Sequence, residues 1–160
     1  MRASLRAARL ANLMLAGMLT GNEFSGLLAI YPALGTVSPL VRLQAEQAIY
    51  QRYGRIMPFY MSATIASFLP VLILVRDRKS PTFRFTLAGM LCFATMLGVT
   101  LTRNLPINKR IEALPATEGS YHEFQELRER WDRLHTARNL LNITGLACTC
   151  LGALSRTDAE

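Results

Sequence analysis

The sequence predicts an all-α integral membrane protein, a bundle of four transmembrane helices. Of its 160 residues, 51% are apolar and only 18% are charged, whereas soluble domains carry about a quarter charged residues. Residues 57–75 and 85–102 contain no charged side chain, and each stretch is long enough to cross a bilayer core of roughly 30 Å. Because four such segments fill the chain, we expect one membrane domain over residues 1–160.

The first predicted span covers residues 10–37 and carries Glu23 in its middle. Its apolar run is longer than that of a secretory signal peptide and is followed by further apolar segments, so we interpret it as a retained helix. Gly17 and Gly21 form a small-xxx-small pattern that serves close helix contacts, either inside one bundle or between subunits. A homo-oligomer formed through the first helix is therefore one expectation.

The second and third predicted spans are residues 57–75 and 85–102, and an interfacial helix is expected before the second. In residues 40–56, apolar and tyrosine side chains recur near helical spacing, which is typical of a helix lying at headgroup level. The third span ends close to Pro106, which a regular helix cannot pass without losing a backbone hydrogen bond.

The fourth predicted span covers residues 135–154 and has a long extramembrane extension. Ser120 and Glu123 have the spacing of a capping box, in which each side chain satisfies a backbone N–H at the start of a helix. From Tyr121 to Leu134 apolar residues recur every three or four positions. We therefore expect one helix to begin near Ser120 and to run unbroken into the fourth span.

Charge and cysteine usage limit the partners. The formal charge is +7, but the basic residues are dispersed between apolar stretches, so no nucleic acid is expected and the lipid bilayer is the main partner. Cys92, Cys148 and Cys150 lie in apolar runs and are odd in number, which argues against disulfides or a zinc site. The dense basic loop at residues 76–79 favours a multi-pass topology with both termini cytoplasmic.

The candidate functional residues are polar side chains placed where lipid-facing residues are expected. An ionisable group inside a membrane helix is costly and normally faces the bundle interior. Glu23, beside Asn22, is such a group. It is either a functional carboxylate (a proton carrier, a metal ligand or a counter-ion) or a structural one that reaches the headgroups or stays neutral. In the functional case we expect it to face inward and to pair with His135, Arg138 or a metal ion.

The last helix carries a polar stripe. At 100° per residue, Trp131, His135, Arg138 and Asn142 fall within a sector about 60° wide. An imidazole and a guanidinium one turn apart, with an indole at one end and an amide at the other, are suited to binding an anion or an enolate. The alternative is an interfacial anchor in which Trp131 and Arg138 contact headgroups.

The end of the third span adds amides to the same membrane half. Asn104 and Asn108 flank Pro106, and irregular backbone at membrane depth is tolerated where it is buried in protein or lines a cavity. We expect the side chains of Asn108, His135 and Arg138 to converge in one hydrogen-bond network. A metal held by His135 and Glu23 would have few donors for copper or iron.

Two segments resemble a known family. Pro106-Ile-Asn108-Lys-Arg-Ile111, followed by Trp131-Asp-Arg-Leu-His135-Thr-Ala-Arg138, is similar to the P-x-N-x-x-[LI] and W-x-x-x-H-x-x-R signatures of anthrone-oxygenase-like four-helix membrane proteins. The Gly-rich first helix and Tyr31-Pro32-Ala-Leu34 also resemble its N-terminal pattern. The resemblance implies oxidation of aromatic polyketides such as anthrones. It assigns functional positions only to Asn108, Trp131, His135 and Arg138, with Pro106 as a structural residue beside them.

The sequence is compatible with two functions. The first is a membrane oxygenase, a polyketide-tailoring oxidoreductase in which His135, Arg138, Asn108 and Glu23 are catalytic and Trp131, Asn104, Asn142 and Asn22 contact an apolar phenolic substrate. No cofactor is then strictly required, although copper or iron held by His135 and Glu23 is a variant. The second is a non-enzymatic assembly subunit or carrier. An enclosed cavity containing His135 and Arg138 would favour the enzyme.

Overall fold

A computed structural model describes residues 2–155, and these residues form helices and connecting turns with no β-strand. The helices combine into four rods. The first rod consists of α1 (Arg2–Ser25), a π-helical turn (Gly26–Ile30) and α2 (Tyr31–Leu34), and the second rod consists of α3 (Pro39–Ala66) and α4 (Phe68–Leu74). The third rod consists of α5 (Pro81–Val99), a second π-helical turn (Thr100–Asn104) and α6 (Leu105–Ala113). The fourth rod is α7 (Tyr121–Leu154) alone. A short 3₁₀ helix (Glu118–Ser120) precedes α7.

Three rods are long and apolar enough to cross a membrane, namely Ala3–Leu34, Pro39–Leu74 and Pro81–Ala113. The predicted all-α membrane bundle is thus confirmed. The fourth rod has only 34 residues in α7, and their charged first half leaves a short uncharged part, residues 139–154. The fourth transmembrane span therefore stays a prediction.

The predicted interfacial helix and the first part of the second span form one continuous helix, α3, and the rest of that span is α4. α3 has 28 residues, which at 1.5 Å per residue corresponds to about 42 Å, longer than the bilayer core of roughly 30 Å. Pro58 lies inside α3 without ending it. The first part of α3 must therefore extend beyond the hydrocarbon region.

Helix boundaries follow local chemistry in the third rod but not in the fourth. Ser80 caps α5, since its hydroxyl accepts a hydrogen bond of 3.3 Å from the Phe83 N–H. The interruption expected at Pro106 takes the form of the π-helical turn, after which α6 begins. The predicted capping box is wrong, because Ser120 has helical backbone angles and makes no side-chain cap; its hydroxyl lies 3.3 Å from that of Thr117.

The third and fourth rods pack most closely, and glycines make this possible. A methyl group at Gly89 would lie 2.8 Å from the Thr149 hydroxyl, and one at Gly152 would lie 2.8 Å from the Thr86 hydroxyl. In contrast, a methyl group at Gly17 or Gly21 would meet no atom within 4 Å. The pattern in the first helix therefore serves no contact inside the bundle, and an oligomer contact there stays a prediction.

The buried apolar side chains form two clusters. One surrounds Met61, Phe68 and Phe93, and the other surrounds Leu43, Phe124 and Trp131. Residues of both clusters line a cavity between them. The polar residues singled out from the sequence are found around this cavity.

Candidate functional site

The centre of the site is a buried ion cluster of Glu23, His135 and Arg138, which joins the first rod to the fourth. Glu23 Oε1 accepts a hydrogen bond from Arg138 Nη2 at 2.5 Å, and Glu23 Oε2 lies 3.4 Å from His135 Nδ1. All three residues are at most 6% exposed. Glu23 thus faces the bundle interior and contacts both His135 and Arg138, the partners that the sequence offered.

Three polar atoms of this cluster, hereafter the site cluster, have no hydrogen-bond partner among the described residues. They are Arg138 Nε and the facing pair of Glu23 Oε2 and His135 Nδ1, which lie 3.4 Å apart. Buried polar atoms are normally satisfied, so Arg138 Nε is available to a bound molecule or to ordered water, whereas Oε2 and Nδ1 are directed at each other.

The imidazole of His135 is held by its own helix and by aromatic rings. Its ring stacks on Trp131 with centroids 4.5 Å apart and lies edge-on to Tyr31 at 5.5 Å. Asn139 Nδ2 lies 3.3 Å from His135 Nε2 and donates to the His135 carbonyl at 3.0 Å. A carboxylate at Nδ1 and an amide N–H at Nε2 favour the tautomer that carries its proton on Nδ1.

Asn108 joins the site through Trp131 rather than through His135 or Arg138. The indole N–H donates to Asn108 Oδ1 at 2.7 Å, and both residues line the same cavity as the two cations. Because the indole occupies the amide oxygen, the Asn108 NH₂ group remains as a donor toward the cavity. The expected convergence is therefore observed on one cavity, although not as one continuous chain of hydrogen bonds.

The other predicted amides are distributed differently. Asn22 lines the cavity, and its oxygen accepts a hydrogen bond of 3.0 Å from the Tyr53 hydroxyl. Asn104 and Asn142 are fully buried, do not line the cavity, and have no side-chain hydrogen-bond partner among the described residues. Direct substrate contact by Asn104 and Asn142 thus has no support in the cavity lining.

The cavity has a volume of about 230 Å³, somewhat below the usual range for small-molecule pockets, about 300–1,000 Å³. Its wall is mainly apolar and aromatic, and its polar members come from the residues described above. The lining includes Ile30, Tyr31, Tyr50, Tyr53, Met57, Met61, Leu97, Leu101 and Leu105 from the first three rods and Trp131, His135 and Arg138 from the fourth.

Both π-helical turns lie beside this site. The turn Gly26–Ile30 follows Glu23 by one helical turn and precedes Tyr31, and the turn Thr100–Asn104 precedes Asn108. π-Helical turns inside α-helices occur frequently at functional sites, since the extra residue redirects the side chains around it. Gly26 is buried against the imidazole, and a methyl group there would lie 3.3 Å from His135 Nε2 and 3.2 Å from Tyr31 Cε2.

A second buried ion cluster adjoins the aromatic wall and was not predicted from the sequence. Arg128 Nη1 donates to Glu46 Oε2 at 2.9 Å and to the Tyr50 hydroxyl at 2.6 Å, and its Nη2 donates to Asp132 at 2.5 Å. Arg42 completes it with a bond of 2.9 Å to Glu46. These five residues are hereafter the scaffold cluster.

The scaffold cluster supports the cavity wall through cation–π contacts. The Arg128 guanidinium carbon lies 4.0 Å from the Tyr31 ring centre and 4.1 Å from that of Trp131. Although burial lowers the pKa of Arg128, its electrostatic interactions with Tyr50, Glu46 and Asp132 outweigh this effect and raise the pKa overall. The sequence signals were the i,i+4 spacings of Arg42 with Glu46 and of Arg128 with Asp132, which are equally typical of a solvated helix face.

A metal ion fits this site poorly. Among the described residues, no group of three or more histidine, cysteine, aspartate or glutamate side chains is placed to hold one. His135 and Glu23 supply two donors, and the guanidinium of Arg138 adjoins the carboxylate. Copper and iron sites need more nitrogen, oxygen or sulfur ligands than this pair provides.

The fold and the site together define a class of protein: a small helical membrane protein with an apolar cavity and a buried carboxylate–imidazole–guanidinium cluster. Residues 47–148 match the family model described as anthrone oxygenase. This is well over half of the chain, so the protein belongs to that family. Neither a curated protein nor a solved structure matches it. The matched region contains Asn108, Trp131, His135 and Arg138, whereas Glu23 and Tyr31 lie outside it.

Proposed function

We propose that the protein is a membrane-embedded oxygenase that converts an apolar, anthrone-type phenolic substrate to a ketone with dioxygen. The observation that carries this proposal is the site cluster, whose unpaired polar atoms adjoin an apolar cavity inside a membrane protein. Family membership supports an oxygenase-like function, and the lining supports an aromatic substrate that reaches the site from the bilayer.

The first step is removal of a proton from an acidic C–H or phenolic O–H group. His135 is the base, and Nε2 is the nitrogen without a proton in the tautomer favoured by its neighbours; it accepts the substrate proton in place of the 3.3 Å contact from Asn139, whose amide keeps its 3.0 Å bond to the His135 carbonyl. Glu23 stabilises the imidazolium that forms and fixes the orientation of the ring, as a carboxylate does in other carboxylate–imidazole pairs. General base catalysis of this kind contributes roughly 10²–10⁴-fold to a rate.

The second requirement is stabilisation of the negative oxygen that develops on the substrate. The Arg138 guanidinium and the Asn108 NH₂ group supply donors on the cavity wall. Donors that are already in position in a water-poor site stabilise developing charge without reorganising. Asn22, also on the wall, is a further polar contact for the substrate.

The oxidation then needs only the substrate and dioxygen. The carbanion forms a C–O bond to dioxygen, and the resulting peroxide takes the first proton back from the His135 imidazolium to give a hydroperoxide. The neutral imidazole then removes the second C–H proton, the O–O bond breaks, and the departing hydroxide takes up that proton to leave as water, which leaves a C=O group. One CH₂ group and one O₂ thus give one C=O group and one H₂O, with no external reductant. Trp131 and Tyr31 provide aromatic faces for stacking of the flat substrate.

The test uses purified protein in lipid vesicles with anthrone as the substrate and oxygen uptake as the readout. We expect oxidation to anthraquinone faster than the uncatalysed reaction, with one O₂ consumed per anthrone. Trp131 is the only tryptophan, so anthrone binding should also change the protein fluorescence. Fluorescence-detected binding without faster oxidation would favour the carrier function, and absence of both would overturn the proposal.

We further propose that both termini are cytoplasmic. The supporting observation remains the basic loop at residues 76–79, whose side chains are exposed between the second and third rods. Attachment of a fluorescent reporter to either terminus, compared with one inserted after Gly119 in the opposite connection, tests this orientation. Cytoplasmic fluorescence for the insertion at residue 119 would overturn it.

A further inference from the structure

A basic groove lies on the outer surface between the third and fourth rods, away from the cavity. Its volume is about 560 Å³, and Arg103, Arg130 and Arg133 line it together with Pro106, Ile107 and Leu134. None of the cavity-lining residues takes part in it. The groove is therefore separate from the cavity of the site cluster.

The three arginines of this groove are unneutralised. None forms an ion pair or a side-chain hydrogen bond with the described residues, and no acidic residue lines the groove. In the same half of the bundle, two neighbouring arginines on the same rods are paired: Arg110 with Glu123 at 2.6 Å and Arg128 with Glu46 at 2.9 Å. Three like charges brought together by two rods favour an anion in the space that they share.

The charge pattern of the two rods places the groove at the predicted boundary of the membrane. Arg103 directly follows the uncharged stretch 85–102 of the third rod, and Arg133 precedes the uncharged residues 139–154 of the fourth. Arginine side chains at such a position reach the phosphate level of a bilayer.

An apolar track leads from the groove toward the bilayer centre. At 100° per residue, Ala137, Leu140 and Thr144 lie within about 40° of Arg133 on α7. Leu140 is 63% exposed, and Leu101 on the third rod is 47% exposed. Guanidinium groups at the headgroup level with exposed apolar side chains beneath them match the two parts of a phospholipid.

We infer that this groove binds the phosphate of an anionic phospholipid, whose acyl chains lie along the exposed apolar faces of α5 and α7. A lipid is favoured over free phosphate because Pro106, Ile107 and Leu134 give the groove an apolar surface beside its charges. An anionic headgroup is favoured over a zwitterionic one because no acidic side chain in the groove would pair with a choline or amine.

The experiment is native mass spectrometry of the full-length protein in detergent, titrated with phosphatidylglycerol or phosphatidylcholine. The wild type should bind phosphatidylglycerol at least tenfold more tightly. R130Q/R133Q should lose about fivefold in affinity per arginine, corresponding to about 1 kcal/mol per basic residue near an anionic surface. The matched control is R52Q/R55Q, which removes two exposed charges from the second rod and should change the affinity less than twofold.

The outcomes that would overturn the inference are specific. Equal binding of the two lipids by the wild type would show no headgroup selectivity, and equal loss in both double variants would show a general effect of net charge. Binding of inorganic phosphate that depends on Arg130 and Arg133, without preference between the lipids, would show a free-anion site instead. If R130Q/R133Q fails to fold, R103Q applies the same test from the other rod.

Discussion

The two buried ion clusters contain similar side chains but differ in how completely these are paired. In the scaffold cluster, both oxygens of Glu46 have hydrogen-bond partners, and Arg128 Nε is the one buried atom left without a partner among the described residues. In the site cluster, Glu23 Oε2 and His135 Nδ1 face each other at 3.4 Å without a hydrogen bond, and Arg138 Nε has no partner among the described residues. Only the site cluster has its charged groups on the cavity wall; the scaffold cluster reaches the wall through Tyr50 alone.

This difference assigns different tasks to chemically similar groups. A buried cluster whose carboxylate is paired at both oxygens fixes the positions of the rods, because removal of one member weakens the compensation of a buried charge. A partly paired cluster beside a cavity can exchange a proton or bind an oxygen atom. Arg128 links the two, since its guanidinium contacts the rings of Tyr31 and Trp131, which in turn contact His135.

The largest expected effect comes from removal of the proposed base in the site cluster. H135Q should lower the rate of anthrone oxidation by about 10²–10⁴-fold, the usual contribution of a general base. The matched control is H122Q, because His122 is the only other histidine and its side chain is 86% exposed. Equal activity of H135Q and H122Q in the oxygen-uptake assay would contradict the role of His135.

Next in size is the loss of the central cation of the scaffold cluster. R128M should lower the free energy of unfolding by about 3–5 kcal/mol, because Glu46 is left buried with only Arg42 and Tyr50 as partners. R42M should cost less, since Arg128 still neutralises Glu46. Thermal unfolding in detergent measures both. A stable but inactive R128M protein would show that Arg128 acts in the site cluster and not in the scaffold cluster.

A smaller effect is expected from neutralising the acid of the site cluster. E23Q should lower the rate of anthrone oxidation by about 10²-fold, in the range for loss of one preorganised electrostatic contact. The variant should still fold, because the amide oxygen can accept the hydrogen bond from Arg138. E126Q, which changes an exposed glutamate, is the control. Unchanged activity of E23Q would leave Glu23 with a structural role only.

The smallest effect is expected from filling the space beside the imidazole. In G26A the added methyl group would lie 3.3 Å from His135 Nε2, so the ring must shift by a few tenths of an ångström. We expect KM for anthrone to rise by about three- to tenfold with little change in stability. G21A is the matched control, because nothing lies within 4 Å of a methyl group there. Equal KM values for G26A and G21A would show that the substrate does not contact the edge of the His135 ring beside Gly26.

Patterns along a single helix were predicted well. The all-α class, the apolar rods and the common face of Trp131, His135 and Arg138 follow from hydropathy and from the 100° rotation per residue, which are local properties. The inward placement of Glu23 could also be predicted, because an isolated carboxylate is too costly to leave in lipid. The capping box at Ser120 failed because the 3₁₀ helix before α7 keeps that residue in helical conformation.

Contacts between rods were decided by the tertiary structure. Arg128 and Glu46 are 82 residues apart in sequence, and nothing in either segment indicates that they meet. Likewise, Gly17 and Gly21 have the spacing expected of a packing motif, yet Gly89, Gly145 and Gly152 occupy the close contacts. The sequence by itself determined which side chains are costly to expose to lipid and which share a helix face. Only the packing of the rods decided which partners they find, because pairing energy depends on distances between segments that no local pattern encodes.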